Sequence, residues 1–339
     1  MPHATTPAAP TPPAPTPPAP TPPAPTPPER ILGCDVGKAS LVVFDSATGQ
    51  TTTLPNQPEP LAAFAASLTP ACLVVCEATG GYERALLAAL AAAGCPAHRA
   101  DARKVKAFIR SFGTLGKSDA IDARALACYG QERHARLARW QPPQAERQRL
   151  QTLVLTRADL VAQRTAFANR LAAPDAEPVR ATLAAVRACL DAQIRTLDAA
   201  IQATIRALAD LARAEAVLRS IGGVGPKTAA ALLALMPELG HLTRRQAAAL
   251  AGVAPHPNQS GATDAYRRTR GGRPEVKATL FMAALSAARH NPTLRAAYER
   301  LRANGKKPIV AITALMRRII VIANARLRDA LVHQTPQLS

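Results

Sequence analysis

Short apolar runs separated by polar turns characterise the chain from Arg30 to about residue 130. Five runs predict strands: ILGCDVG (31–37), LVVFD (41–45), TTTLP (51–55), LVVCEATG (73–80) and residues 97–100. Helical patterns fill the segments between and after them, at residues 59–68, 82–93, 101–112 and 117–130. The resulting β-β-β-α-β-α-β-α order predicts an α/β domain with a mixed sheet over residues 29–140.

The pattern is helical throughout after this domain. Residues 141–215 predict two long helices, the second over 178–213, with a break near Pro174 and Pro178. A helical hairpin of this length is typical of a spacer or of a dimerisation coiled coil. Residues 216–330 predict a third, all-α domain, and a tail follows over residues 331–339.

The first 28 residues show neither the strand pattern nor the helical pattern. The word TPPAP is repeated at residues 11–15, 16–20 and 21–25. Proline at this density fixes φ and removes amide donors, so residues 1–28 are expected to form an extended, disordered tether. The segment lacks the basic start and apolar core of a signal peptide. No stretch of the chain is expected to approach the ~20 apolar residues that a membrane span requires.

Charge indicates the kind of partner. The formal net charge is +19, and residues 241–330 alone carry 17 lysines and arginines against four acids. Each cation that neutralises a phosphate releases a counterion, so a surplus of this size favours a nucleic-acid partner. The six cysteines show neither CxxC nor zinc spacing, so we expect reduced thiols in a cytosolic protein.

Acidic residues end two of the predicted strands. Asp35 follows the first apolar run and Glu77 the fourth. The carboxyl ends of neighbouring strands in an α/β sheet meet in one crevice, so we expect these two side chains to lie close together. Asp119 and Asp122 are three positions apart and share one helix face. Four such carboxylates would repel one another unless a cation neutralised them, and their hard oxygen ligands suit Mg²⁺ or Mn²⁺.

Each acid also has a purely structural interpretation. A strand-ending Asp is often a turn residue, Asp119 could cap its helix, and Asp122 could pair with Arg103 or Arg124. The order strand-Asp-x-Gly, strand-Glu-Ala-Thr-Gly and helix-Asp-x-x-Asp favours the joint interpretation as a metal site.

The words CDVGKAS, CEATGGYE and KSDAIDARAL, in this order, resemble the RuvC-like domain of the DEDD transposases of the insertion sequence 110 family. The resemblance implies a ribonuclease-H-like fold. It assigns the catalytic, metal-binding tetrad to Asp35, Glu77, Asp119 and Asp122. Lys117 matches the word that precedes the third acid and is assigned to nucleic-acid contact.

A glycine-rich turn precedes a helix in the carboxyl-terminal half. The segment LRSIGGVGPKTAAALLAL (218–235) has the helix-hairpin-helix pattern, in which Gly223 and Gly225 expose amides at a helix start and Lys227 stands beside them. Such a turn binds phosphate without reading the base sequence. The alternative is a tight helix–helix turn without a ligand.

Ser260 lies in a loop bounded by proline and glycine, with no His–Asp pair beside it, so spacing alone indicates a turn serine. The stretch is, however, similar to the second conserved domain of the same transposase family. That resemblance implies that Ser260 is the nucleophile of a recombination reaction with a phosphoserine intermediate. Pro274 and Glu275 stand where the family often has a Gly-Asn pair. Five nearby cations are assigned to phosphate contact, with ordinary solvated charge as the alternative: Arg267, Arg268, Arg270, Arg273 and Lys277.

The leading hypothesis is a transposase that cuts and rejoins the DNA of an insertion sequence. The resemblance alone further implies a structured guide RNA, homodimers that assemble into a tetramer, and action at the nucleoid of a bacterial cytoplasm. One alternative is a RuvC-like, structure-selective endonuclease that uses the same acids with a metal-activated water and does not need Ser260. Another is an architectural nucleic-acid binder in which all four acids are dispensable.

Overall fold

The computed structural model describes residues 27–113, 116, 118–257, 259–260, 263–264 and 268–332. It divides into two compact units, within residues 1–142 and 143–339, and each unit has its own buried core. Lys117 and Arg267 lie outside the described residues, as does almost all of the proline-rich segment.

The first unit is an α/β domain with a five-stranded mixed sheet in the order β3-β2-β1-β4-β5. Strand β2 is antiparallel to both of its neighbours, whereas β1, β4 and β5 run parallel. The strands are β1 (Arg30–Val36), β2 (Ser40–Asp45), β3 (Thr51–Pro55), β4 (Cys72–Glu77) and β5 (Ala97–Ala100). The helices are α1 (Pro58–Ala66), α2 (Arg84–Ala92), α3 (Ala102–Ser111) and α4 (Asp119–Arg133). The predicted mixed α/β architecture is confirmed.

The two faces of this sheet pack against different helices, because successive side chains of a strand point to opposite sides. Leu32, Cys34 and Val36 of β1 enter one core with side chains of α1 and α2. Ile31 of β1 and Val75 of β4 enter the other core with side chains of α3 and α4. The alternation therefore places residues 31, 33 and 35 of β1 on the α4 side of the sheet.

Helix α4 lies against the sheet at unusually short distance, and glycines make this possible. A Cβ atom on Gly33 would lie 1.9 Å from the carbonyl oxygen of Ala123 and 2.4 Å from the amide nitrogen of Ala127. On the helix side, a Cβ on Gly130 would lie 2.8 Å from a methyl group of Ile31. Residue 123 thus lies near residue 33 and residue 130 near residue 31, so α4 runs antiparallel to β1.

The second unit is built from helices. They are α5 (Ala145–Leu171), α6 (Arg180–Ala207), α7 (Ala209–Arg219), α8 (Pro226–Leu235), α9 (Arg244–Leu250), α10 (Pro274–His290), α11 (Pro292–Ala303) and α12 (Pro308–Val332). Two short strands, β6 (Gln259–Ser260) and β7 (Thr263–Asp264), form an antiparallel pair between α9 and α10. The predicted helical carboxyl-terminal half is confirmed.

Helices α5 and α6 form the predicted hairpin, joined by ion pairs such as Arg157–Asp198 and Arg164–Asp191. The predicted continuous helix over 178–213 is wrong: the chain leaves helical geometry at Leu208, where φ is −114° and ψ is 115°. No glycine or proline marks this break in the sequence. The predicted domain boundary between residues 215 and 216 lies inside α7, whose Leu211 and Leu218 belong to the same core as the later helices.

Helix α12 corrects the expectation that no stretch approaches a membrane span. This 25-residue helix is long and apolar enough to cross a membrane when only its length and composition are considered. Leu315, Ile319 and Ile320 on one face are fully buried in the core of the second unit, whereas Arg317 and Arg318 are exposed. The helix is therefore accounted for as a core element of a folded unit.

Candidate active site

Two of the four predicted acids lie side by side at one edge of the sheet. Asp35 is the penultimate residue of β1 and Glu77 is the last residue of β4. The parallel register pairs Cys34 with Cys76, so the next position on each strand brings Asp35 beside Glu77. Neighbouring strands are about 4.8 Å apart. Both acids are half-buried, and both occupy positions on the α4 side of the sheet.

The other two acids lie in the first turn of α4. Because α4 runs antiparallel to β1, this first turn lies toward the carboxyl end of β1, on the face that carries Asp35. Asp122 is half-buried and Asp119 is exposed. The four acids are distant in the sequence, but the backbone segments that carry them lie close together at one end of one face of the sheet.

Among the described residues, no contact supports the structural interpretations of Asp119 and Asp122. Ser118, not Asp119, is the N-cap of α4, and its hydroxyl oxygen accepts a hydrogen bond from the backbone N–H of Ile121 at 3.3 Å. Arg103 is paired with Asp101. The other candidate partner of Asp122, Arg124, lies over the ring of Phe44 at 5.6 Å from its centroid.

Among the residues that the structure describes, no three His, Cys, Asp or Glu side chains stand close enough together to hold one metal ion. The elements that carry the four carboxylates nevertheless converge, and all four supply the oxygen donors that Mg²⁺ and Mn²⁺ prefer. The donor set therefore fits such an ion in chemistry and in backbone placement, although the side chains are not gathered around a common centre.

A buried carboxylate holds the loop that follows Glu77. Glu83 is fully buried and is paired with Arg99 of β5 at 2.6 Å. Its second oxygen accepts hydrogen bonds from the backbone N–H groups of Thr79 at 3.2 Å and of Gly81 at 2.9 Å, and from the Thr79 hydroxyl. Gly81 can turn its amide inward because its φ is 111°, a value open mainly to glycine.

The charge of Glu83 is maintained by its partners. Burial raises the pKa of the carboxyl, but hydrogen bonds from its own backbone N–H, Arg99 and Gly81 outweigh this and hold the pKa below its ordinary value. Sequence reasoning missed Glu83, because a charged residue at the start of a helix is usually solvated.

Asn56 links the two loops that follow the strand-borne acids. Its Nδ2 donates to the carbonyl oxygen of Gly37, two residues after Asp35, at 2.9 Å and to that of Tyr82 at 3.2 Å. The first carbonyl belongs to the turn after β1 and the second to the loop after Glu77. A single amide group therefore ties together the backbone segments that carry Asp35 and Glu77. Its sequence context, after β3, gives no sign of this role.

The cysteines of the first unit are core residues. Cys34, Cys72, Cys76 and Cys95 are buried free thiols. Burial raises the pKa of Cys76 to about 12, with the nearby charge of Glu83 as a further cause. A thiol in this state is a poor nucleophile.

The predicted nucleophile lies in the second unit. Ser260 belongs to β6, where its backbone pairs with Thr263 of β7. Of the cations assigned to phosphate, Arg268 and Arg270 are exposed, and the ammonium group of Lys277 donates to the hydroxyl of Thr269 at 3.3 Å.

Two predicted phosphate-binding cations have partners inside the protein. Arg273 makes a two-pronged ion pair with Glu238, with distances of 2.9 and 2.6 Å, and also donates to the carbonyl oxygen of Leu235. Lys227 is 3.5 Å from Asp198 of α6. The ion pair between Arg273 and Glu238 holds the start of α10 against the end of α8.

The glycine turn between α7 and α8 packs tightly against α10. A Cβ on Gly223, whose φ is 103°, would lie 2.5 Å from the Cβ of Ala287. Asn291 donates to the carbonyl oxygen of Gly222 at 3.1 Å. Gly225 is the N-cap of α8 and has open space around it. Close packing therefore explains Gly223, whereas Gly225 lies in open space at the start of α8.

Both halves of the chain match family models of transposases. The transposase model DEDD_Tnp_IS110 matches residues 32–173, which include all four acids. The model of the transposase IS116/IS110/IS902 family matches residues 215–299, which include Ser260. These matches define the class as transposases. The chain belongs to the IS110 family within that class.

A curated relative agrees with this assignment. The chain is 34% identical over 143 residues to the insertion element IS110 uncharacterized 43.6 kDa protein of Streptomyces coelicolor. The match covers 40% of this chain and 34% of the relative, so it spans about a third of that protein.

Proposed function

We propose that this protein cuts and rejoins DNA strands during movement of an insertion sequence. The observation that carries the proposal is the convergence of Asp35, Glu77 and the first turn of α4 at one edge of the sheet, in a chain whose two halves match IS110-type transposase models. The sheet order β3-β2-β1-β4-β5, with β2 antiparallel to the rest, supports a ribonuclease-H-like first domain.

Asp35, Glu77, Asp119 and Asp122 are the residues that would hold Mg²⁺ or Mn²⁺. When bound, such an ion supplies charge neutralisation at a phosphodiester and lowers the pKa of a hydroxyl group. The rigid parts of this site are Asp35 and Glu77, because paired strands carry them and Asn56 joins the loops that follow them. The first turn of α4 brings the remaining two carboxylates on a helix that Gly33 allows to lie close to the sheet.

Ser260 is the proposed nucleophile. Its Oγ would bond to phosphorus as one P–O bond of the strand breaks, and the serine proton would pass to the departing DNA oxygen, which becomes a free hydroxyl. Attack of another DNA hydroxyl on the phosphoserine would reverse the same exchange and rejoin the strand without an external energy source. A serine hydroxyl is a weak nucleophile until it is activated, so Ser260 requires activation by a base or a metal ion.

The partners proposed on the same basis are donor and target DNA, a structured guide RNA, and further copies of the chain that form dimers and tetramers in the bacterial cytoplasm. The net charge of +19 supports a polyanionic partner. Purified protein freed of RNA should lose recombination and regain it when the RNA from the flank of the element is added back. Equal recombination without RNA would exclude a guide.

A plasmid recombination assay tests the chemistry. Asp35→Asn and Ser260→Ala should each abolish strand exchange, whereas Asp159→Asn and Ser67→Ala, at exposed positions on other surfaces, should retain it. A Ser260→Ala protein that still cleaves DNA, combined with an inactive Asp35→Asn protein, would support the endonuclease alternative, which needs only the acids of the first unit. Full activity of Asp35→Asn would exclude the assignment of the acids.

A further inference from the structure

Four arginines line one open cleft of the second unit. The cleft has a volume of about 900 Å³ and lies between the start of α9 and the exposed side of α12. Its lining includes Arg244, Arg245, Arg317, Arg318, Val321 and Ile322. We call it the arginine cleft. The stretch that matches a transposase model ends at residue 299, before Arg317 and Arg318.

The periodicity of α12 explains which residues face the cleft. Leu315, Met316, Ile319 and Ile320 are buried in the core, so the intervening positions 317, 318, 321 and 322 are directed away from it. Arg317 and Arg318 are exposed, with Val321 and Ile322 one turn further along the same side. The cleft therefore combines charged groups with an apolar surface.

The opposite wall is held in place by a buried amide. Asn324 of α12 is only 1% exposed. Its Oδ1 accepts from the backbone N–H of Gly240 at 3.0 Å, and its Nδ2 donates to the carbonyl oxygen of Leu242 at 2.7 Å. Thr243 and Gln246 then form a reciprocal capping box at the start of α9. These contacts fix Arg244 and Arg245 relative to α12 before any ligand arrives.

The four arginines have no carboxylate partners among the described residues. Several other arginines of this unit do have acidic partners, among them Arg147 with Asp210, Arg157 with Asp198 and Arg273 with Glu238. No acid is found among the described residues that line the arginine cleft. Like charges held close together repel, so the concentration of four cations is favourable only toward an anionic ligand.

The charged surface continues from this cleft. A second cleft of about 530 Å³ shares Ala314 and Arg317 with it and is also lined by Arg268 and Lys277. A path of positive charge thus runs from α9 across α12 to the segment that follows the Ser260 strand pair. An extended polyanion can engage all of these positions at once, whereas an isolated anion cannot.

We propose that the arginine cleft binds the phosphate backbone of duplex DNA, an inference that rests on the DNA-processing function proposed above. Arginine presents a planar fork of donors that suits phosphate oxygens. Stacking on aromatic rings is the usual means of holding single strands, and none of the described residues that line the arginine cleft is aromatic.

The test measures the salt dependence of binding to a DNA duplex of arbitrary sequence by fluorescence anisotropy. Arg244→Gln/Arg245→Gln and Arg317→Gln/Arg318→Gln each remove two cations from exposed positions. The slope of log K against log salt should fall in magnitude by about 0.9 per lost phosphate contact, or about 1.8 for each double variant. With equal affinity extrapolated to 1 M salt, this corresponds to about 60-fold weaker binding at 0.1 M.

Arg187→Gln/Arg195→Gln is the matched control, because it removes the same charge from exposed positions of α6. An unchanged slope in the control, with unchanged thermal unfolding of all variants, supports the arginine cleft. An equal fall in the control would attribute the effect to net charge and overturn the proposal, as would unchanged slopes in the cleft variants. A loss confined to an RNA duplex would overturn the assignment to DNA. Failure of the unaltered protein to bind any DNA duplex would instead contradict the proposed function itself.

Discussion

The most stringent prediction concerns Glu83, whose two carboxylate oxygens have different partners. Oε1 accepts from the guanidinium of Arg99 at 2.7 Å. Oε2 accepts from the backbone N–H groups of Thr79 and Gly81 and from the Thr79 hydroxyl. Glu83→Gln preserves shape and volume but leaves a single acceptor oxygen. Neither orientation of the amide satisfies both sides, because its NH₂ group must face either Arg99 or the loop amides, which are all donors.

The magnitude follows from the burial of these groups. Removing one partner of a buried charge pair costs about 3–5 kcal/mol. Arg99 retains 43% exposure, so water can solvate it again and the cost should lie at the lower end. We expect Glu83→Ala to lower the free energy of unfolding of the first unit by about 3 kcal/mol, and Glu83→Gln by about 2 to 3 kcal/mol. Glu132→Gln, at an exposed position of α4, should change it by less than about 0.5 kcal/mol.

Trp140 provides a local probe for this measurement. It is the single tryptophan of the chain, it packs against the core of the first unit, and its backbone N–H donates to Ala97 at 2.7 Å. Urea unfolding followed by its fluorescence therefore reports the first unit. If Glu83→Gln is as stable as the unaltered protein while Glu83→Ala is not, the amide satisfies both sides and the argument from paired acceptors is wrong.

Acid provides an independent check of the same carboxylate. The folded-state pKa of Glu83 is lowered, so its stabilising contribution is fully present above the unfolded-state pKa of about 4.3 and is lost as the pH falls through the folded-state value. The difference in stability between the unaltered protein and Glu83→Gln should therefore shrink in this acidic range. A difference that is constant across it would contradict a charged Glu83.

Two further substitutions test how the acids are positioned. Gly33→Ala would place a methyl group 1.9 Å from the backbone of Ala123, so α4 must shift. We expect a stability loss of about 3 kcal/mol by Trp140 fluorescence, together with loss of recombination, and near-normal values for both would refute the close contact. Asn56→Ala should raise the Mg²⁺ concentration for half-maximal strand cleavage about tenfold while recombination at saturating Mg²⁺ largely recovers. An unchanged Mg²⁺ requirement would show that the bridge from Gly37 to Tyr82 does not position the acids.

The four acids show which positions local sequence patterns can predict, whereas their metal-binding and catalytic roles stay predictions. Asp35 and Glu77 each follow an apolar run, and a run of that length predicts a buried strand whose end is exposed to a crevice. Asp119 and Asp122 follow a capping serine, and their spacing determines that they share a helix face. These are local regularities, so they can be read without knowledge of distant residues. The side chains of Ser260 and Arg267, as well as Lys117, stay predictions, since they lie outside what the structure describes.

Contacts between distant segments could not be read in this way. Glutamate is usually solvated, and Glu83 is buried only because β5 brings Arg99 beside it. Arg273 looked like a phosphate ligand among other cations, but Glu238 lies 35 positions earlier and pairs with it. The break at Leu208 has no local signal, because it arises where α6 and α7 pack into one core.

The sequence by itself therefore determined the order of strands and helices in the first unit, the positions of the four acids within them, and the surplus of positive charge. Periodicity and charge depend only on residues that are close in the sequence, so they can be read before the fold is known. Only the tertiary structure decided the register that brings Asp35 beside Glu77, the glycine contact that brings α4 to the sheet, and the cleft that brings Arg244 to Arg317. These depend on which apolar faces are buried together, and that choice is made by packing over the whole unit.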